Sequence, residues 1–248
     1  MKMTSNLISP RVLVLSASLA LPLISGAATI FGDPADATVR ADGVVQNDTS
    51  TELIVGQTFG AAERSSVFVF QIPNFGAVAD PFTATSFDVN YFSTTNIDGS
   101  EPYAVDVYAL GNRASSEVLP GDYYTGPYNG DATDATGLQA ALVTPASALG
   151  LYSTDSAANA TLLTYLNAAY DGGTGAGTFA FIRLSLQTEV DTNERMNFTA
   201  IEGSIAATDP SIAPQITYTS PFPIVPEPSA PLMLGASALL FVFRRRNR

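Results

Sequence analysis

The sequence predicts a mainly β protein. The expected fold is an antiparallel, jelly-roll-like β-sandwich with one inserted helix, flanked by an N-terminal signal peptide and a C-terminal apolar helix. Three observations predict it. Short alternating or continuous apolar runs recur between residues 37 and 219, separated by Gly, Pro and Asp, the pattern of many short strands joined by turns. One segment, 155–173, instead places apolar residues at helical spacing. The two extremities are apolar and basic, whereas everything between them is acidic.

The elements follow in chain order. Residues 1–28 have the parts of a secretory leader: Lys2 and Arg11, an apolar stretch from Val12 to Ile24, and small residues at Ser25 to Ala28 for signal peptidase. The mature chain is expected to start near Ala28 or Thr29, and 29–219 to form the sandwich. Strands are predicted over 37–40, 52–59, 66–72, 85–92, 103–110, 178–187, 197–201 and 214–219. The run SVFVFQI at 66–72 is apolar on both faces and so reads as a central strand. In 85–92, Phe87, Val89 and Tyr91 share a face opposite Asp88 and Asn90; in 103–110, Val105 and Val107 lie opposite Asp106. In 178–187, Ile182, Leu184 and Leu186 point inward and Arg183 and Ser185 outward. The helix has Asp155 or Ser156 to cap it, a stripe of Leu162, Leu166, Ala169 and Tyr170, and Gly172 and Gly173 to end it. Tyr165 and Tyr170 read as core. Residues 220–227 read as a Pro-rich linker and 228–248 as a separate C-terminal segment.

Composition narrows the chemistry. The 248 residues include no Cys and no His. Thiol nucleophiles, disulfides, Cys-containing zinc sites and Ser-His-Asp triads are therefore excluded. The chain carries a net charge of −12, and the body is more acidic still: its only cations are Arg40, Arg64, Arg113, Arg183 and Arg195, against 22 acidic residues. Such a surface repels phosphate backbones, so no nucleic-acid partner is expected.

Two stretches are candidate sites. Asp122, Tyr123, Tyr124 and Tyr128 lie in a Gly/Pro-rich loop, where Tyr rings offer stacking faces for sugars and Asp accepts hydroxyl hydrogen bonds; the other reading is that these rings pack the loop onto the sheet. Asp131, Asp134 and Asp191 to Glu194 supply oxygen ligands suited to Ca²⁺, without EF-hand spacing; the other reading is a solvated acidic loop. The glycine-rich stretch 171–177 has no Lys and reads as a turn. No cofactor is otherwise expected, and no catalytic residue can be assigned.

The tail has 16 uncharged residues from Pro228 to Phe243, followed by Arg244, Arg245, Arg246 and Arg248. As a helix the run reaches roughly 24 Å, at ~1.5 Å per residue. That is short of the about 20 residues of a full span and suits a transient one, with the arginines cytoplasmic. Pro226-Glu227-Pro228, the apolar run and the Arg244-Arg245-Arg246 cluster together resemble the PEP-CTERM sorting signal. The resemblance implies an exosortase of a Gram-negative bacterium as partner, processing near the motif, transient anchoring in the inner membrane, and delivery to the cell surface or extracellular matrix. The body, through Asp36 to Arg40, Leu53 to Gly56, Arg64 with Phe68 to Phe70, Phe198 to Gly203 and Pro214 to Tyr218, loosely resembles DNRLRE-type β-sandwich modules, some of which bind acidic polysaccharides. It departs from them at Ala200-Ile201 and in having no Trp. The expectation is an exported, non-enzymatic structural or adhesive protein. The alternatives are a carbohydrate-binding module for acidic polysaccharide and a carboxylate-based polysaccharide hydrolase or lyase.

Overall fold

The computed structural model describes residues 26–46, 52–58, 61–95, 103–190, 193–201 and 209–225. The leader before Gly26, the motif Pro226 to Pro228, the tail arginines and the pair Asp191-Thr192 lie outside the described residues. Twelve strands and one α-helix follow in chain order: β1 (Gly26–Phe31), β2 (Ala37–Arg40), β3 (Val45–Gln46), β4 (Glu52–Gly56), β5 (Arg64–Gln71), β6 (Ala84–Thr95), β7 (Val105–Arg113), β8 (Thr136–Val143), β9 (Gly150–Ser153), α1 (Ser156–Tyr170), β10 (Phe179–Leu186), β11 (Arg195–Thr199) and β12 (Gln215–Ser220).

Among the described residues the fold is mainly β and antiparallel with the one inserted helix, as expected; the expected C-terminal helix lies outside them. Its facing layers are flanks of one sheet curled into a half-barrel, in the order β1-β12-β6-β11-β4-β5-β10-β7-β8, with β2 and β3 added at β5 and β9 at β6. The sheet turns its corner at Gly56, where β4 touches β5 through the single pair Gly56↔Arg64. Gly56 has φ +111, and a Cβ there would meet the Glu194 carbonyl oxygen at 2.5 Å, so only glycine lets β4 lie this close to the start of β11.

The inner face holds the main core. Phe68, Phe70 and Ile72 of the β5 run, Phe87, Val89 and Tyr91 of β6, Val105 and Val107 of β7, and Ile182, Leu184 and Leu186 of β10 all contribute to it. Helix α1 packs against this face, burying Ala158, Leu162, Leu166, Ala169 and Tyr170. Asp155 caps it by accepting from the Ala157 and Ala158 amides, each at 2.9 Å. Asp171 at φ 43, then Gly172 and Gly173, end it. Gly173 is required by packing as well as by its φ, since a Cβ there would meet the Gly76 carbonyl at 2.7 Å. The Tyr170 hydroxyl accepts from the Phe75 amide at 2.9 Å and donates to the Gly76 carbonyl at 2.5 Å, tying the 73–76 loop to the helix end. Phe75, Phe82, Tyr170 and Tyr218 meet edge to face there, with ring centroids from 5.3 to 6.3 Å apart.

Four strands have no counterpart in the sequence reading: β1, β3, β8 and β9. β1 straddles the expected leader cleavage site. It pairs with β12 from Gly26↔Ser220 to Phe31↔Gln215, so Thr29 to Phe31 stay paired with Gln215 to Thr217 whichever of the two cuts is made. β8 is irregular, with Ala141 at φ 50, and this hides its alternation.

Burial of α1 sets a stability prediction. Leu162→Ala removes a fully buried side chain between helix and sheet and should lower the unfolding free energy by about 2–5 kcal/mol. Thr164→Ala, on the exposed side of the same helix, should stay within about 0.5 kcal/mol. Urea denaturation of the two variants checks both.

Candidate functional site

The outer face of the sheet is also covered. Val67 and Val69 of β5, Leu110 of β7, Phe181 of β10 and Ala37 and Val39 of β2 form a second core with Val118. The segment between β7 and β8 lies over this face and carries Asp122, Tyr123, Tyr124 and Tyr128. Arg183 and Ser185 do point to the face opposite Ile182 and Leu184, but both are fully buried, as is Asp106. The outer face of β7 and β10 is an interior and not a solvated surface.

Arg183 organises this interior. Its guanidinium carbon lies 4.7 Å from the Tyr108 ring centroid and 5.1 Å from that of Tyr124, a cation–π contact with each. Its Nη1 donates to the Asp122 carbonyl at 3.1 Å, and its Nη2 pairs with the Asp131 carboxylate. The Tyr108 ring further meets Tyr124 at 5.7 Å and Tyr128 at 5.8 Å. The loop is tied down by the Ser65 hydroxyl, donating to the Tyr124 carbonyl at 2.6 Å, and by the Gly126 amide, donating to the Leu186 carbonyl at 3.0 Å.

The four sugar-binding candidates thus lie in one loop, each with internal partners. Asp122 is buried in a 3₁₀ turn, ion-paired to Arg113 and accepting from the Leu119 amide at 2.8 Å. Arg113 lies 4.3 Å over the Phe181 ring. The Tyr123 hydroxyl is 3.2 Å from Glu63 Oε2 and 3.1 Å from Thr125 Oγ1. The Tyr124 hydroxyl donates to the Pro127 carbonyl at 2.9 Å. Gly137 makes room for this loop: a Cβ there would collide with Asn129 Oδ1 and the Tyr128 ring. Of the calcium candidates, Asp131 is engaged by Arg183, Asp134 is exposed, and Glu194 accepts from the Tyr103 hydroxyl at 2.6 Å. Among the described residues no group of three or more Asp or Glu could hold a metal ion.

The sequence reading missed Arg113, Arg183 and Tyr108 as members of this cluster. The available signal was the set of apolar residues on the second face, Val67, Val69, Leu110 and Phe181, which require a cover and so place a Tyr-rich loop over them.

Burial sets the electrostatics. Desolvation raises the Glu63 carboxyl above its ordinary value, against the Val190 amide and the Tyr123 hydroxyl, which favour the charged form; Glu189 adds to the rise. Desolvation likewise raises Asp106, against the Ala141 amide, Gln187 and Tyr108. Desolvation also pushes the Tyr123 hydroxyl up to about 12 and raises Tyr108 strongly. Asp131 behaves oppositely: burial alone would raise it, but hydrogen bonds from Arg183 and Thr133 hold it below the ordinary range.

These directions give a pH dependence. Glu63 and Asp106 bind a proton more tightly in the folded chain. The stability they add is complete below the ordinary carboxylate value and is lost as pH rises through their raised values. The contribution of Asp131 is present above its ordinary value and is lost as pH falls through its lowered one. Melting temperature should therefore peak at mildly acidic pH, and Glu63→Gln with Asp106→Asn should flatten the neutral-side limb in a thermal scan series. Asp131→Asn strands a buried guanidinium and should cost about 3–5 kcal/mol, whereas Arg183→Met with Asp131→Leu should recover most of that loss in chemical denaturation.

Comparison with known proteins adds one finding at the C-terminus. Residues 225–247 match the family model of the PEP-CTERM protein-sorting motif. No curated protein matches the chain. Among the described residues no helix is long and apolar enough to cross a membrane; the apolar run 228–243 lies outside them. The chain carries a PEP-CTERM sorting motif, the mark of an exosortase substrate exported toward the cell surface.

Proposed function

We propose that the body is a non-catalytic structural or adhesive module of the cell surface or extracellular matrix. Its leader, residues 1–28, is removed by signal peptidase. Its apolar run, 228–243, halts in the inner membrane with Arg244 to Arg248 on the cytoplasmic side, and an exosortase cuts near Pro226-Glu227-Pro228. The observation that carries this reading is the sorting motif over residues 225–247. The absence of His and Cys supports a non-catalytic body. So does the engagement of Asp122 and Asp131 in ion pairs with Arg113 and Arg183.

The test is made in the exporting cell. Glu227→Ala, or deletion of Arg244 to Arg248, should retain the protein in the membrane fraction at its unprocessed mass, while wild type is released shortened. Mass spectrometry of released wild type with an intact C-terminus would refute the sorting reading.

A further inference from the structure

The segment joining the body to the sorting motif does not hang free. After β12, the Ser220 hydroxyl turns the chain, accepting from the Phe222 amide at 3.1 Å and lying 3.2 Å from its carbonyl. The chain then runs back along the body. The Val225 amide donates to the Asn74 carbonyl at 2.7 Å. Ile224 and Val225 line a cleft of about 300 Å³ with Gln71, Ile72, Pro73, Asn74 and Gly177. The acceptor is held firmly, because the Asn74 side chain accepts from the Gly76 amide at 2.8 Å and Tyr170 clamps Phe75 and Gly76. The strap itself is held lightly. One backbone hydrogen bond fixes its end, and Phe222, Ile224 and Val225 remain 37%, 53% and 43% exposed. The first motif proline, Pro226, is the next residue in the chain.

We propose that residues 221–225 form a docked strap that holds the start of the sorting motif against the 71–76 segment, and that the strap must peel away before the motif can be processed. This rests on the sorting reading above and adds a control step to it. A membrane protease takes its substrate as an extended segment with residues on both sides of the cut, and here the upstream residues belong to the body. Cleavage then tracks the fraction of molecules in which the strap is open. Because the strap is held by about one net hydrogen bond, losing that bond should raise the open fraction roughly two- to tenfold.

Pulse–chase of the full chain in the exporting cell measures the rate of C-terminal shortening. Val225→Pro removes the amide donor, and a Gly-Ser-Gly-Ser insertion between Val225 and Pro226 frees the motif while leaving the strap docked. Val225→Pro should be processed roughly two- to tenfold faster than wild type, and the insertion, which supplies the slack that peeling would otherwise provide, at least as fast as Val225→Pro. Equal rates for wild type and both variants, with Glu227→Ala still blocking processing, would overturn the strap alone. No shortening of wild type would overturn the sorting reading, and this proposal with it.

Discussion

The outer half of the molecule depends on the burial of one cation. Arg183 sits in the middle of β10, where strand alternation points it away from the main core, yet it is fully enclosed. A guanidinium in that position is tolerable only with its charge matched and its N–H groups engaged. Asp131 supplies the charge, Tyr108 and Tyr124 supply aromatic contacts, and the Asp122 carbonyl takes a further N–H. Three of these four partners come from the long connection between β7 and β8. The ion pair therefore fixes where that connection lies, and the connection in turn seals Val67, Val69, Leu110 and Phe181 from water. A second pair, Arg113 with Asp122, locks the same segment nearer β7. Two of the five arginines in the body are spent in this way.

The consequence for chemistry is that the most ligand-like loop of the chain serves as a cover. Its tyrosines contact Arg183, Glu63 and Tyr108 of β7, and Asp122 is a structural counter-ion. Two faces of one sheet are thus buried by different means. α1 covers the inner face through apolar packing, and a charged, aromatic loop covers the outer face through specific pairing. The first depends on shape and area. The second contains Glu63, Asp106 and Asp131, whose carboxyls are shifted by burial and by their partners.

Much of the inner face was legible. The β5 run SVFVFQI is apolar at every core position, and only a strand covered on both sides accommodates that; Phe68 and Phe70 belong to the main core while Val67 and Val69 belong to the second. The helix was equally plain, because Asp155, the Leu162–Leu166–Ala169–Tyr170 stripe and the closing glycines are local signals. The outer face was not legible, because burial of Arg183 depends on Asp131, 52 residues away in sequence. β8 escaped for a different reason: Ala141 at positive φ breaks the two-residue period. β1 was hidden by composition, since a strand of small and apolar residues at the end of a leader is written in the same letters as a cleavage site. Periodicity likewise says nothing of the docking of Ile224 and Val225, which a Pro-rich stretch presents as a linker.

The pairing of β1 with β12 has a geometric outcome for the assembled protein. Gly26 stands beside Ser220 and Phe31 beside Gln215, so the chain enters and leaves the barrel at one rim. Whatever surface captures the carboxyl end holds the body by that rim. The far rim, where the hairpin of β2 and β3 turns and where β4, β6 and β11 meet at Gly56, Thr95 and Arg195, lies at the opposite end of the strands from both chain ends.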